Sequence, residues 1–467
     1  MDTMRSQRSR PWPALPTLAL LLALSGCGGR PEGLNVVVIT LDTTRSDHLS
    51  LYGFPAAINP TLDALAKRGI VFDRAYTPMG QTLPAHASLF TGRTPRAHGA
   101  LENYQELPAH AVTLAEVLGG KGYQTAAFIG ALVLDDTTGM AQGFDVYDEP
   151  RGKAKDSQHP AERRADAVTD AAIAWTLSGY DEDRPFLLWA HYYDPHGPFE
   201  APSPSVPQAA VRRQLKAHVR EFGSEPPVSY LGLRQTYADE IAFTDQQVGR
   251  LLDRLQAAGM LTDTVVVVVS DHGEGLMEHG EKGHGVNVFE ELMQVPLIVA
   301  APEGSADGAL GGTRVEARVL IEDVMPTVLD LAGHGGLSLE TDGMNLMPDL
   351  RAGREPRERP VFVERPHYSR KRIRWRSSKE RSYDYGVMLG VIIGDEKLVR
   401  EPDGSEALYD LRADPDELTD LSAERPAAVG RLSGLLDEWI MRHPVDKIGV
   451  APELSPERLD ALKQLGY

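Results

Sequence analysis

The sequence predicts an α/β protein: a three-layer sandwich with a mostly parallel central sheet, plus a small C-terminal α+β subdomain. Three observations carry this. The runs NVVVITL at 35–41 and TVVVVVS at 264–270 are apolar without alternation, as strands buried on both faces are. Segments of helical spacing recur between such runs, so strands and helices alternate and the helices cover both sheet faces. From about residue 351 the texture changes to REPRERP and RKRIRWRSSKERS, and short alternating segments follow.

The elements follow in chain order. The strand at 35–41 leads to an amphipathic helix over 61–69 closed by its glycine. A helix is expected over 113–119, then a strand within KGYQTAAFIG. Residues 186–191 form a strand, 237–259 a long amphipathic helix, and 264–270 the second buried strand. A strand at 295–300 and a helix at 324–332 close the sheet region, and 385–393 and 397–410 supply the C-terminal unit. The expected division is a signal segment over 1–26, a tether over 27–34, a catalytic domain over 35–354 and the α+β subdomain over 355–467.

Composition narrows the function. The chain has 467 residues, 42% hydrophobic and 25% charged, which is ordinary for a globular protein. It carries 48 Lys and Arg against 67 Asp and Glu, a net charge of −19. No nucleic-acid partner is expected, since binding phosphates calls for a basic face.

At the N-terminus, Arg5, Arg8 and Arg10 precede an apolar run over 15–24 and then Leu24-Ser25-Gly26-Cys27. This has the layout of an export signal, and the run is too short to span about 30 Å of hydrocarbon. Its end resembles a bacterial lipobox, with Cys27 as the lipidated first residue. The expectation is an exported protein at the outer membrane or periplasmic face, touching the membrane only through Cys27. Cys27 is the single cysteine, so once it is acylated no thiolate is left for nucleophile or metal ligand.

The chemistry sits at strand ends, where open α/β sheets bind ligands. NVVVITL runs into Asp42, TVVVVVS into Asp271 and His272, and FLLWAH into Asp194 and His196. A fourth element is QTLPAHASLFTGR, in which Thr82 stands just ahead of a helix start. Helix N-termini present N–H groups to anions, and a hydroxyl there can bind a metal and attack an ester.

These segments resemble the sulfatase family of the alkaline phosphatase superfamily. The matching stretches are NVVVITLDTTRSDHLSLYG, NPTLDALAKRGIVFDRAY, LPAHASLFTGRTPRAHG, HYYDPHGPF, TVVVVVSDHGEG, KGHG, VPLIVAAP, DVMPTVLDLAG and DGMNLMPDL, with LYDLRADPDELTDL near the C-terminus. The resemblance implies that Asp42, Asp271 and His272 are metal ligands, joined by Thr82 at the nucleophile position. It implies that His196 touches the substrate anion, that Arg93 is the arginine of the T-G-R segment, and that Lys282 or His284 is a later basic contact. His98 and His279 are read as supporting residues.

Departures from the family pattern bear on mechanism. Formylglycine is made from Cys or Ser, and Thr82 cannot yield an aldehyde because its Cβ bears a methyl group. Formylglycine is therefore not expected, and His86 stands where the family has an arginine. A sulfated threonine lacks the aldehyde hydrate's second hydroxyl, whereas a phosphorylated one is cleared by in-line attack at phosphorus. The expected activity is metal-dependent hydrolysis of sulfate or phosphate esters, with Thr82 favouring phosphoesters and phosphodiesters. An envelope phospho-alcohol transferase and an inactive binding protein are the alternatives. The expected substrate is a small-molecule, glycan or lipid ester. Thr43 replaces the family's second Asp and His272 its Asn, so the single divalent ion is Mn²⁺, Zn²⁺ or Ca²⁺, the imidazole favouring the first two. A second ion at Asp194, His196 and His284 is a further reading.

Overall fold

The computed structural model describes residues 33–54, 57–103, 105–150, 162–202, 231–280, 282–366, 368–371 and 382–445. The export signal, Cys27 and most of the segments 150–158, 202–229 and 370–381 lie outside the described residues. Strands are β1 Asn35–Leu41, β2 Ile70–Tyr76, β3 Gln124–Ile129, β4 Val146–Asp148, β5 Phe186–Tyr192, β6 Thr264–Val269, β7 Gly275–Leu276, β8 Lys282–Gly283, β9 Gln294–Ala300 and β10 Arg314–Leu320. The eight-stranded central sheet has the order β10-β2-β9-β6-β1-β5-β3-β4, and β7 and β8 form a separate hairpin.

All neighbours in the sheet pair in parallel except at β9, which runs antiparallel to both β6 and β2. β1 lies between β5 and β6, with Leu41 opposite Tyr192 and Thr40 opposite Val269. Parallel register therefore brings the carboxyl ends of the three expected strands side by side, although they come from distant parts of the chain.

Alternate residues of these strands feed two cores. Val36, Val38, Trp189, Val265 and Val267 face α2 (Thr82–Thr91) and the helix Val324–Leu331, through Leu83, Ala87, Phe90, Val328 and Leu331. Val37, Ile39, Leu188, Val266 and Val268 face α1 (Pro60–Arg68) and the helices Ala165–Ser178 and Leu231–Ala257. The period of two along each strand produces the three layers. Among the described residues no helix is long and apolar enough to cross a membrane.

The C-terminal part is a four-stranded antiparallel sheet, β11 Val361–Arg365, β14 Met388–Ile393, β15 Glu396–Arg400 and β16 Glu406–Asp410, in that order. A two-stranded hairpin of β12 Tyr368–Lys371 and β13 Ser382–Tyr385 stands apart from it. The alternating segment over 397–410 forms two strands, because Asp403-Gly404 makes a turn, with Gly404 at φ 87°. One face of this sheet packs on Tyr76, Val288, Leu292 and Met293, and the other on the helix Pro426–Arg442 through Leu432, Leu436 and Trp439.

Candidate active site

Three segments converge at the carboxyl end of β1. Beyond β1 the Asp42 N–H bonds the Tyr192 carbonyl at 2.8 Å, continuing the parallel ladder for one more residue. The chain then turns through Thr43, whose φ of 51° is left-handed and unusual for a β-branched residue. Tyr237 pins this turn: its hydroxyl donates to the Thr43 carbonyl at 2.6 Å and accepts the Arg45 N–H at 2.8 Å. The outcome is that the Thr43 N–H points at Asp271 Oδ1, 3.1 Å away.

Asp271 follows β6, and its Oδ1 accepts a second backbone N–H, from His272 at 2.8 Å. That leaves Oδ2 turned inward. His272 donates Nδ1–H to the Gly273 carbonyl at 2.9 Å, so its Nε2 presents a lone pair. Gly273 admits no side chain, since a Cβ would lie 1.9 Å from the Glu291 carbonyl oxygen.

Asp42, Asp271 and His272 each offer one donor atom, and the three atoms all lie within 4.8 Å of one another. All three residues are buried. Asp42 Oδ1 and Oδ2 and Asp271 Oδ2 have no hydrogen-bond partner among the described residues. Burial, then Asp271, Glu274 and Glu162, push the Asp42 carboxyl well above its ordinary range. Burial pushes Asp271 up to about 6 even with His86 and backbone N–H groups pulling the other way, and lowers His272 to about 4. Two buried carboxylates facing a neutral imidazole, with no lysine or arginine paired to them among the described residues, are a donor set suited to a divalent ion.

Thr82 is the first residue of α2, not the residue ahead of it, and its Oγ1 lies 3.4 Å from His272 Nε2. The start of this helix is less open to an anion than the sequence suggests. Leu83 N–H is already bonded to Asn103 Oδ1 at 2.8 Å, Pro84 has none, and Ala85 N–H bonds the Gln81 carbonyl.

His196 and His284 complete one wall. Each gives Nδ1–H to a backbone carbonyl, of Gly197 at 2.7 Å and of Gly80 at 3.3 Å. Their Nε2 atoms then face each other at 2.9 Å, a contact that a single proton can bridge. The His284 ring lies 4.5 Å from that of His272, and the His196 ring stacks on Tyr193. Burial and the nearness of His284 push His196 well below its usual value. Lys282 is exposed, with Nζ 6.0 Å over the Phe199 ring, and its charge pulls against the buried Glu274 carboxyl.

Two expectations are corrected. Arg93 does not reach the site: it follows α2 at its far end, about 15 Å along the axis from Thr82, and its guanidinium lies 3.6 Å from Glu340. Position in a linear motif does not tell which end of the helix faces the sheet. Asp194 is not grouped with His196 and His284; its carboxylate accepts the Ala165 N–H at the start of the helix Ala165–Ser178. His98 bonds Ser88 at 3.1 Å, and His279 bonds Glu291 at 2.8 Å and stacks on Phe289. Asn103, Tyr237 and His191 belong to the surroundings of the site and carry no motif that a linear reading could use.

Comparison with known proteins identifies the family. A family model described as Sulfatase matches residues 34–334. Choline-sulfatase of Rhizobium meliloti (strain 1021) is 30% identical over 432 residues, covering 79% of this chain and 78% of that protein. Delta 4,5-hexuronate-2-O-sulfatase of Bacteroides thetaiotaomicron is 24% identical over 486 residues, covering 93% and 95%. Among solved structures, BT4656 in complex with its substrate D-glucosamine-2-N,6-O-disulfate superposes with a TM-score of 0.69 at 22% identity, over 89% of this chain and 100% of that one. The phosphonate monoester hydrolase of Agrobacterium radiobacter superposes at 0.66 with 21% identity, over 91% and 99%. The strand-end carboxylates, the shared sheet and the match over most of the length place the chain in the sulfatase family, as an ester hydrolase of that family.

Proposed function

We propose that this chain hydrolyses phosphoesters or phosphodiesters through Thr82, with one divalent ion held by Asp42, Asp271, His272 and the Thr82 hydroxyl. The observation that carries the reading is the residue at the head of α2. Its hydroxyl stands 3.4 Å from His272 Nε2, and its Cβ methyl bars conversion to an aldehyde. A bound ion would lower the hydroxyl pKa and offset charge on the ester oxygens.

The residues divide the work as follows. Thr82 Oγ1, its proton lost to solvent, attacks phosphorus in line with the leaving oxygen. The Oγ1–P bond forms, the ester P–O bond breaks, and the departing oxygen takes a proton that the His196–His284 pair gains from solvent when the anionic ester binds beside it. Lys282 balances charge on the phosphoryl oxygens. Water then attacks phosphorus and gives one proton back to the histidine pair, while the Thr82 oxygen leaves and is reprotonated from solvent.

The relatives' printed names include both sulfate and phosphonate esters, which supports an acid-ester substrate of either element. Threonine chemistry selects phosphorus. We further propose that the protein is exported and lipid-anchored at Cys27, with a small-molecule, glycan or lipid ester as substrate and a catalytic unit over 35–354.

Assays of the purified chain on nitrophenyl phosphate, bis(nitrophenyl) phosphate and nitrophenyl sulfate, each with Mn²⁺, Zn²⁺ or Ca²⁺, test this directly. Turnover of a phosphate ester is expected, falling about 10³-fold or more in Thr82→Ala with its fold retained. Turnover of the sulfate alone, or an active Thr82→Ala, overturns it.

A further inference from the structure

We propose that a buried histidine, His191, with His86 packed against its ring, is a positioning residue that aims the carboxylate of Asp42 at the bound ion. The inference rests on the reading that Asp42, Asp271 and His272 hold that ion. His191 comes from β5 and His86 from the second turn of α2, and both are fully buried. Their rings meet edge to face, with centroids 4.9 Å apart at 84°. Each approaches a carboxylate: His191 Nε2 is 3.5 Å from Asp42 Oδ2, and His86 Nδ1 is 3.6 Å from Asp271 Oδ2.

A buried chain of hydrogen bonds fixes the His191 ring. The indole Nε1–H of Trp189 can only donate, and it gives its hydrogen to Thr40 Oγ1 at 2.9 Å. That oxygen lies 3.0 Å from His191 Nδ1. With Thr40 donating to Nδ1, the ring carries its hydrogen on Nε2, the nitrogen that faces Asp42. On the other side His86 donates Nδ1–H to the Thr82 carbonyl at 2.8 Å, which ties it to the backbone of the nucleophile.

A purely structural role does not account for this arrangement. Nε2 of His191, the nitrogen that faces Asp42, has no hydrogen-bond partner among the described residues, and burying such a group carries a cost that an apolar side chain would not. The cost is understandable if the ring orients a carboxylate that is unpaired until an ion binds. A neutral imidazole gives direction and leaves the carboxylate charge intact for the ion, where a guanidinium would cancel it.

The test compares divalent-ion affinity by competition with a chromogenic chelator in the parent, Thr40→Val, Thr40→Ser and His191→Phe. Thermal unfolding of each metal-free protein is measured alongside. Thr40→Val keeps the shape but cannot donate to His191, and should weaken ion binding about ten-fold. Thr40→Ser should restore it, and His191→Phe should weaken it at least as much as Thr40→Val. A merely structural role lowers the metal-free melting temperature and leaves affinity unchanged. A folded Thr40→Val that binds ions as the parent does overturns the inference, and decides the matter if His191→Phe fails to fold. A parent that binds no ion overturns the triad reading itself, a separate and recognisable result.

Discussion

The carboxyl end of the central sheet and the junction with the C-terminal sheet both bury charge, and they treat it in opposite ways. At the junction Lys397 is fully buried on β15 and sits 2.9 Å from both Glu290 and Glu417. Burial alone would lower its pKa, yet the two carboxylates raise it. Nearby, Arg96 pairs with Glu364 at 2.8 Å and lies over the Trp439 ring. At the sheet end Asp42 and Asp271 are equally buried and, among the described residues, face no cationic side chain at pairing distance other than the histidines. Paired buried charge fixes how two layers meet. Unpaired buried charge marks a place built for something that binds.

The largest effect is expected at the junction. Lys397→Met leaves the buried Glu417 and the partly buried Glu290 without their cation, and should cost about 3–5 kcal/mol in denaturant unfolding. Ion affinity should stay unchanged as long as the protein is folded. A loss well under that range would mean that the junction is not held by its charges.

A smaller effect of opposite sign is expected at the sheet end. Asp42→Asn removes an unpaired charge, so it should stabilise the metal-free protein by on the order of 1–3 kcal/mol while abolishing ion binding. The pH dependence sharpens this. Both folded carboxyls have raised pKa values, Asp271 to about 6, so the folded metal-free state binds more protons than the unfolded one between pH 4 and about 6. Their contribution to stability is therefore lost as pH rises through that window. Melting curves of the metal-free parent should show this decline, and Asp42→Asn should flatten it. An Asp42→Asn protein that melts lower than the parent at neutral pH would show that Asp42 has a structural partner after all.

Much of this contrast was legible before any coordinates. β1 and β6 announce themselves because continuous Val and Ile runs have no other comfortable state. Asp42, Asp271 and His272 were legible because each directly follows such a strand. β10, with the sequence RVEARVL, was not read, because an edge strand half exposed to water carries charges at alternate positions. The alanine-rich helix Ala165–Ser178 has a weak apolar stripe and escaped for the opposite reason. Arg93 was misplaced because a motif fixes sequence distance, and a helix converts that distance into separation along its axis. His191 was invisible because its partner Thr40 lies 151 residues away across a parallel strand pair. The ion pairs of Lys397 are equally non-local, and nothing in the spacing of lysine and glutamate discloses them.

The central claim is that the unpaired carboxylates at the sheet end hold a divalent ion. Anomalous diffraction from crystals grown with Mn²⁺ or Zn²⁺ tests it most directly. The account predicts one strong peak, about 2.0–2.3 Å from carboxylate oxygens of Asp42 and Asp271 and from His272 Nε2. Crystals saturated with either ion that show no density between those three residues would contradict it.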